Sequence, residues 1–192
     1  MHYGGDGGAR AAMVAARDRR FSQVVRTQTA IVSAVDPYRP GEFYRRELPP
    51  LRAVIPSAGE LSLIVVDGYV DLDPDGRPGL GAHVHAEFAV PVIGVAKTAF
   101  WTATHAARVL RGQSSQPLYV TAAGMTIADA AVLVTEMAGR FRVPDALKTV
   151  DHLARTGTHR PRPLASRVAP GQTRDRRIRR AASVLSRPSA DR

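Results

Sequence analysis

The chain of 192 residues contains no cysteine, which excludes disulfide bonds, thiolate metal sites and cysteine nucleophiles. It also has no apolar run that approaches the roughly 18 residues of a membrane-spanning helix. The first ten residues, MHYGGDGGAR, lack the basic segment followed by an apolar segment that is typical of a signal peptide. We therefore expect a soluble cytoplasmic protein without a membrane partner, and a monomer is the starting expectation.

Acidic residues are scarce at one end of the chain, so the positive charge is uneven. The whole chain carries +10, of which residues 155–192 contribute +9 through eleven arginines and two aspartates. This asymmetry predicts a nearly neutral folded domain over residues 1–156 and a disordered basic tail over residues 157–192. Such a tail attracts nucleic-acid phosphates without reading sequence. A solvated tail with no specific partner is the alternative.

The order of apolar segments predicts an α/β fold with a mixed sheet. Loose alternation over residues 11–16 and 21–32, with a further strand at the extreme N-terminus, predicts an antiparallel meander. Continuous apolar runs at 61–66 and 92–96 are typical of strands buried on both faces, and residues 117–120 form a shorter candidate strand. Helices are expected from near Gly41, over 80–90, over 126–138 after a capping box, and from Pro144 onward. Helices should therefore flank a sheet that begins antiparallel and continues with parallel strands.

Three residues with suitable chemistry lie at the ends of these elements. Asp67 follows the strand 61–66, Lys97 follows the strand 92–96, and Glu47 lies in the helix after a Pro-Tyr-Arg-Pro corner. Open α/β sheets place their sites at the carboxyl ends of the strands. Taken singly, Glu47 is more often a solvated helix carboxylate and Lys97 a surface residue. Two carboxylates and a cation together indicate a metal-dependent site for phosphate chemistry.

The joint spacing of these residues resembles the endonuclease V family, whose members nick DNA near deoxyinosine and in some cases act on inosine in RNA. The resemblance runs from about Met1 to about Arg155 and implies a ribonuclease-H-like fold. It is carried by Tyr38 nine residues before Glu47, Arg46, the Asp67-Gly68 pair, the spacing from Leu80 and His83 to Lys97, and RVPDALKTVDHLAR at 142–155.

The resemblance also implies a catalytic role for four residues. Glu47 and Asp67 would hold Mg²⁺, which prefers hard oxygen ligands, and Asp151 would line the site. Lys97 would place a positive charge near the scissile phosphate or the attacking water. The implied partner is DNA that contains deoxyinosine, with inosine RNA as a further possibility.

For the substrate, the resemblance implies a wedge and a base pocket. Tyr38, Arg39, Pro40 and Gly41 would enter the helix where the lesion base leaves the stack, a step that costs a few kcal/mol. Backbone near Gly41 and Gly79 would form the pocket. Arg46 fills the arginine position of the family. His83 has either a supporting role at the site or a structural role. The apolar walls would be Phe43, Leu80 and Phe100.

The chain departs from the family pattern at its first strand. The family carries a catalytic Asp there, and the alignment of Met1-His2-Tyr3 would put that Asp immediately before Met1. Either the chain starts late and the native protein has the residue, or the site has lost one of three carboxylates. Asp73 stands where the family often has His, as a further ligand or a turn cap. A Ser-Pro-Gly-His turn is replaced by Ala123-Gly124-Met125.

Three functions follow. The first is a magnesium-dependent endonuclease of DNA repair. The second is a catalytically impaired homologue that binds inosine lesions without nicking. The third is a basic structural nucleic-acid protein whose affinity depends on residues 157–192 and which shows no lesion preference.

Overall fold

The computed structural model describes residues 2–3, 9–32, 44–56, 60–157 and 180–185. No helix in these stretches is both long enough and apolar enough to cross a membrane. The predicted α/β class is confirmed. In chain order the elements are β1 (His2–Tyr3), β2 (Ala9–Ala16), β3 (Val24–Val32), α1 (Tyr44–Val54), β4 (Leu61–Val66), α2 (Leu80–Phe88), β5 (Val92–Ala96), β6 (Ala107–Val109), β7 (Leu118–Ala123), α3 (Ile127–Glu136), α4 (Asp145–Thr156) and β8 (Arg180–Leu185).

The strands form one mixed, eight-stranded sheet. Its order is β1-β2-β8-β4-β5-β7-β6, and β3 pairs with β2. β2 is antiparallel to β1, β3 and β8, whereas β4 is parallel to both β5 and β8. The two continuous apolar runs of the sequence are therefore adjacent parallel strands with helices on both faces, and their carboxyl ends meet at one edge of the sheet.

Helices α1 and α2 cover one face of the sheet, and α3 and α4 cover the other. Leu51 of α1 and Val84 of α2 belong to one apolar cluster, which includes Ile64 of the sheet. Val134 of α3 and Leu147 of α4 belong to the second cluster. Because the residues of β4 alternate between the two clusters, this strand fixes the relative position of both layers.

Strand β8 corrects the prediction of a disordered tail over residues 157–192 at residues 180–185 only. Residues 180–185 lie in the middle of the sheet, between β2 and β4. Ala182, Ser183 and Val184 are fully buried. β8 supplies hydrogen-bond partners to backbone groups on the facing sides of β2 and β4, which would otherwise be unpaired. Residues 158–179 and 186–192 lie outside the described part of the chain.

Strands β1 and β8 share one side of β2. His2 pairs with Arg10, and Leu185 pairs with Ala12. On its other side, β8 pairs with β4, and the Asp67 N–H donates to the Val184 carbonyl at 3.2 Å. β8 therefore runs beside the carboxyl end of β4, directly before Asp67.

Candidate active site

Asp67 and Lys97 form an ion pair where two neighbouring parallel strands end. Lys97 Nζ lies 2.5 Å from Asp67 Oδ2, and the side chains are 23% and 11% exposed. Gly68 turns the chain away directly after Asp67 with φ 151°, a conformation that favours glycine. Its N–H donates to the Val95 carbonyl at 3.1 Å, which ties this turn to β5. The sheet therefore fixes both charged groups at one edge.

Glu47 brings a second carboxylate to this edge from α1. Its side chain is 1% exposed, and Oε1 has no hydrogen-bond partner among the described residues. Burial raises the pKa of Glu47 to about 8, and the nearby charge of Asp67 acts in the same direction. A buried carboxylate beside a second one is stabilised in its charged form by a cation placed between them.

The donor set fits an open magnesium site. Mg²⁺ is usually bound through one or two carboxylates, and it keeps several waters that substrate phosphates can replace. Glu47 and Asp67 supply such a pair. Within the described stretches no group of three or more His, Cys, Asp or Glu side chains could hold a metal ion. The two carboxylates therefore fit a metal site whose remaining ligands are water and substrate. The described residues do not provide a complete set of protein ligands.

The segment that begins with Lys97 is held from two sides. Arg142 Nη2 donates to the Lys97 carbonyl, and it also donates to the Pro117 carbonyl at 2.8 Å. The Tyr69 hydroxyl donates to the Thr98 carbonyl at 2.8 Å and accepts from the Phe100 N–H at 3.0 Å. Sequence reasoning included Arg142 only within a motif and missed Tyr69, because no local pattern marks a tyrosine as the anchor of a distant loop.

The turn after Asp67 is packed closely against neighbouring glycines. A Cβ at Gly94 would lie 2.6 Å from the Gly68 carbonyl, and one at Gly79 would lie 2.8 Å from the Tyr69 carbonyl. The Val70 N–H donates to Thr121 Oγ1 at 2.8 Å. Gly79 therefore contacts the turn that positions Asp67, and its predicted part in a base pocket stays a prediction.

Comparison with known proteins identifies the family of the chain. A family model described as Endonuclease V matches residues 2–152. The chain belongs to the endonuclease V family. A curated Endonuclease V from Rhodospirillum centenum (strain ATCC 51521 / SW) is 31% identical, in an alignment that covers 74% of this chain and 68% of that protein.

Solved endonuclease V structures share the fold. The Streptomyces avermitilis protein is 25% identical with a TM-score of 0.64, over 81% of this chain and 77% of that one. A Ciona intestinalis variant, solved with DNA that contains an inosine followed by a ribo-adenosine, has a TM-score of 0.66 at 18% identity, over 81% of each chain. The human catalytic domain has a TM-score of 0.61 at 21% identity, over 81% and 78%. The predicted ribonuclease-H-like fold is confirmed.

Other residues that the family resemblance selects lie around Glu47. The Tyr44 ring stacks on His83 with centroids 3.6 Å apart, which joins α1 to α2. Burial lowers the pKa of His83, so its imidazole is neutral at neutral pH. The charge of Arg46 lowers the pKa of Glu47, against the effect of burial. Leu80 is 8% exposed and belongs to the apolar cluster under α2. Its predicted role as an apolar wall of the base pocket stays a prediction.

Asp151, the fourth predicted catalytic residue of the endonuclease V pattern, lies in α4. It is 8% exposed and forms an ion pair with Arg155, one turn further along the helix. α4 packs against β2 and β8, on the face opposite α1. The catalytic role of Asp151 stays a prediction. The predicted wedge and pocket residues Tyr38, Arg39, Pro40, Gly41 and Phe43 lie outside the described part of the chain.

Proposed function

We propose that this protein is a magnesium-dependent endonuclease that nicks nucleic acid near deoxyinosine or inosine in DNA repair. The observation that supports it most is Glu47, a buried carboxylate of raised pKa beside the Asp67–Lys97 pair. Burying a carboxyl group is costly, and groups whose pKa is strongly shifted in this way cluster at functional sites. Binding a cation next to a phosphate would be such a function for Glu47.

Glu47 and Asp67 would hold a magnesium ion, which when bound would polarise the phosphate and make water more acidic. The Lys97 ammonium, now paired with Asp67, lies close enough to that carboxylate to contact a phosphate oxygen beside it. It would stabilise the negative charge that develops on phosphorus oxygens during hydrolysis. Arg142 and Tyr69 keep the backbone on both sides of this lysine in place.

The proposed substrate is nucleic acid that contains inosine. The Ciona intestinalis relatives were solved with such DNA, which supports this class. Phe100 follows Lys97 by three residues and is held by Tyr69 at a ring-centroid distance of 6.1 Å, so an extruded base would meet an aromatic surface near the scissile phosphate. We assign the wedge to Tyr38–Gly41 and the remaining pocket walls to Phe43, Gly79 and Leu80.

The decisive experiment is a nicking assay on deoxyinosine duplex and inosine RNA, with and without magnesium. Glu47→Gln and Asp67→Asn should abolish nicking and largely preserve binding, because they remove the metal ligands. Glu87→Gln is a matched control, since that exposed carboxylate pairs with Arg52 on the outer surface. Wild-type rates in either ligand variant would contradict the proposal, and so would nicking that persists in EDTA.

A second candidate is an impaired homologue that binds inosine lesions without nicking. It is favoured by the donor set, because the described residues bring two carboxylates to the site and hold no group of three possible metal ligands. Binding of inosine strands by the wild-type chain, measured with and without magnesium beside the nicking assay, separates the candidates. Nicking by the wild-type chain would exclude the second candidate. Inosine-selective binding that magnesium does not change, without any nicking, would support it.

A further inference from the structure

Trp101 is a large apolar side chain that the fold exposes instead of burying. It is the only tryptophan of the chain, and it is 84% exposed. It follows Lys97 by four residues and lies within a tight turn, in which the Ala103 N–H donates to the Phe100 carbonyl at 3.0 Å. Packing among the described residues therefore does not require this ring, and most of its surface is exposed for another contact.

The backbone that carries Trp101 is fixed on both sides. The Tyr69 hydroxyl accepts from the Phe100 N–H at 3.0 Å, just before the tryptophan. Just after it, Thr102 Oγ1 donates to the Leu72 carbonyl at 2.5 Å, and Ala103 is 7% exposed. A ring presented to solvent from an anchored turn loses little conformational entropy when it binds a partner.

The surroundings of this ring combine aromatic groups with positive charge. The Phe100 and Trp101 centroids are 6.4 Å apart, and the Arg77 guanidinium lies 5.9 Å from the Phe100 centroid. Lys97 begins the same segment. Aromatic platforms flanked by cations are the usual means by which proteins hold unpaired nucleotides, because bases stack on the rings and phosphates meet the charges.

We propose that Trp101 stacks on an unpaired base next to the nucleotide whose phosphate contacts Lys97. This inference rests on the proposed nucleic-acid function of the site and adds a contact outside the lesion pocket. Every base has a π-face, so the contact contributes affinity to inosine-containing and undamaged strands alike. Lesion selectivity belongs to the pocket and should be unaffected.

The test uses the fluorescence of the single tryptophan. The full chain is titrated in EDTA with single-stranded and duplex oligonucleotides, each with and without one inosine. Binding is measured independently by the anisotropy of a labelled oligonucleotide. Stacking should quench the emission at saturation. Trp101→Ala should weaken binding to both single-stranded oligonucleotides by a similar factor, between about 5-fold and about 150-fold, and should affect the undamaged duplex less because its bases are paired. Trp101→Phe should retain most of the affinity.

Val132→Ala is the control, because Val132 is an exposed apolar residue of α3. Unchanged emission at saturation together with wild-type affinity in Trp101→Ala would overturn the inference, even if inosine selectivity is found. Among the single-stranded oligonucleotides, a loss confined to the inosine strand would also overturn it and assign the ring to the lesion pocket. Quenching and a general loss of affinity without any inosine preference would support Trp101 stacking and contradict the proposed substrate.

Discussion

Glu47 links the stability of the metal-free protein to pH. Its pKa is about 8 in the folded protein against an ordinary value of 4.5. Between these values the folded state keeps a proton that the unfolded state releases, so the free energy of unfolding falls as pH rises through this window. We expect the Tm in EDTA to fall between about pH 5 and about pH 8, and Glu47→Gln to reduce that fall.

Magnesium provides the control for this prediction, because the metal binds the ionised carboxylate. Added at about pH 8, magnesium should raise the Tm of the wild-type chain and have little effect on Glu47→Gln. Thermal melts that follow the same pH course in the wild type and in Glu47→Gln would show that Glu47 is not the group responsible.

Arg142 acts on Lys97 through the backbone, so we expect it to be a positioning residue. Its guanidinium bridges the carbonyls of Lys97 and Pro117. In a chain that nicks, Arg142→Ala should lower kcat by about 10-fold to about 100-fold with little change in KM, because the lysine moves relative to the phosphate. Arg142→Lys should recover only part of the rate, since an ammonium lacks the planar fork that reaches both carbonyls.

Steady-state kinetics on the deoxyinosine duplex would measure the effect of these Arg142 variants, with Arg108→Ala as an exposed arginine control on β6. Thermal melts of each variant separate positioning from stability. A parallel rise in KM, or a loss of rate fully explained by unfolding, would remove the positioning role.

At the scale of elements, local signals were enough for several strands and helices. The runs 61–66 and 92–96 are continuously apolar and end in polar residues, so their burial and their ends could be predicted. Thr126 caps α3 as predicted, accepting from the Asp129 N–H at 3.1 Å. β6 has only three residues and carries too little periodicity to be recognised. β8 depends on partners more than 100 residues away, which no local pattern reports.

Strand β8 should contribute strongly to stability, because it joins the two halves of the sheet. Deleting residues 180–192 removes a buried strand and leaves the facing sides of β2 and β4 unpaired. We expect a large fall in Tm, measured by circular dichroism, and greater exposure of apolar surface. Deleting only residues 186–192 is the matched control and should change the Tm little.

A single substitution tests the same strand without truncation. Val184 is fully buried, so Val184→Asp should destabilise the protein by about 3 kcal/mol or more through an unpaired buried charge. Urea denaturation would measure this. If Val184→Asp and the deletion of 180–192 both unfold like the full chain, β8 is not part of the stable sheet.

At the scale of the molecule, the site joins residues that are far apart in sequence. The Glu47, Asp67 and Lys97 positions could be predicted because each lies at a recognisable element end, and the structure brings these three together. The contacts that hold these residues in place could not be predicted from the sequence. Tyr69 reaches Thr98 and Phe100 across 29 and 31 positions, and such contacts depend on how β4, β5 and their loops pack in three dimensions.

The charge distribution gives the last prediction. Residues 158–179 hold seven arginines and one aspartate, whereas residues 1–154 carry about +1. Replacing Arg174, Arg176 and Arg177 by Ser keeps β8, which truncation would remove. If these arginines contact phosphates, the slope of log K against log salt should decrease in magnitude by about 2 to 3, because binding then releases fewer counterions from the nucleic acid. Inosine selectivity should be unchanged, because phosphate contacts carry no base information. An unchanged salt slope, measured by anisotropy titrations at several salt concentrations, would show that these arginines are only solvated.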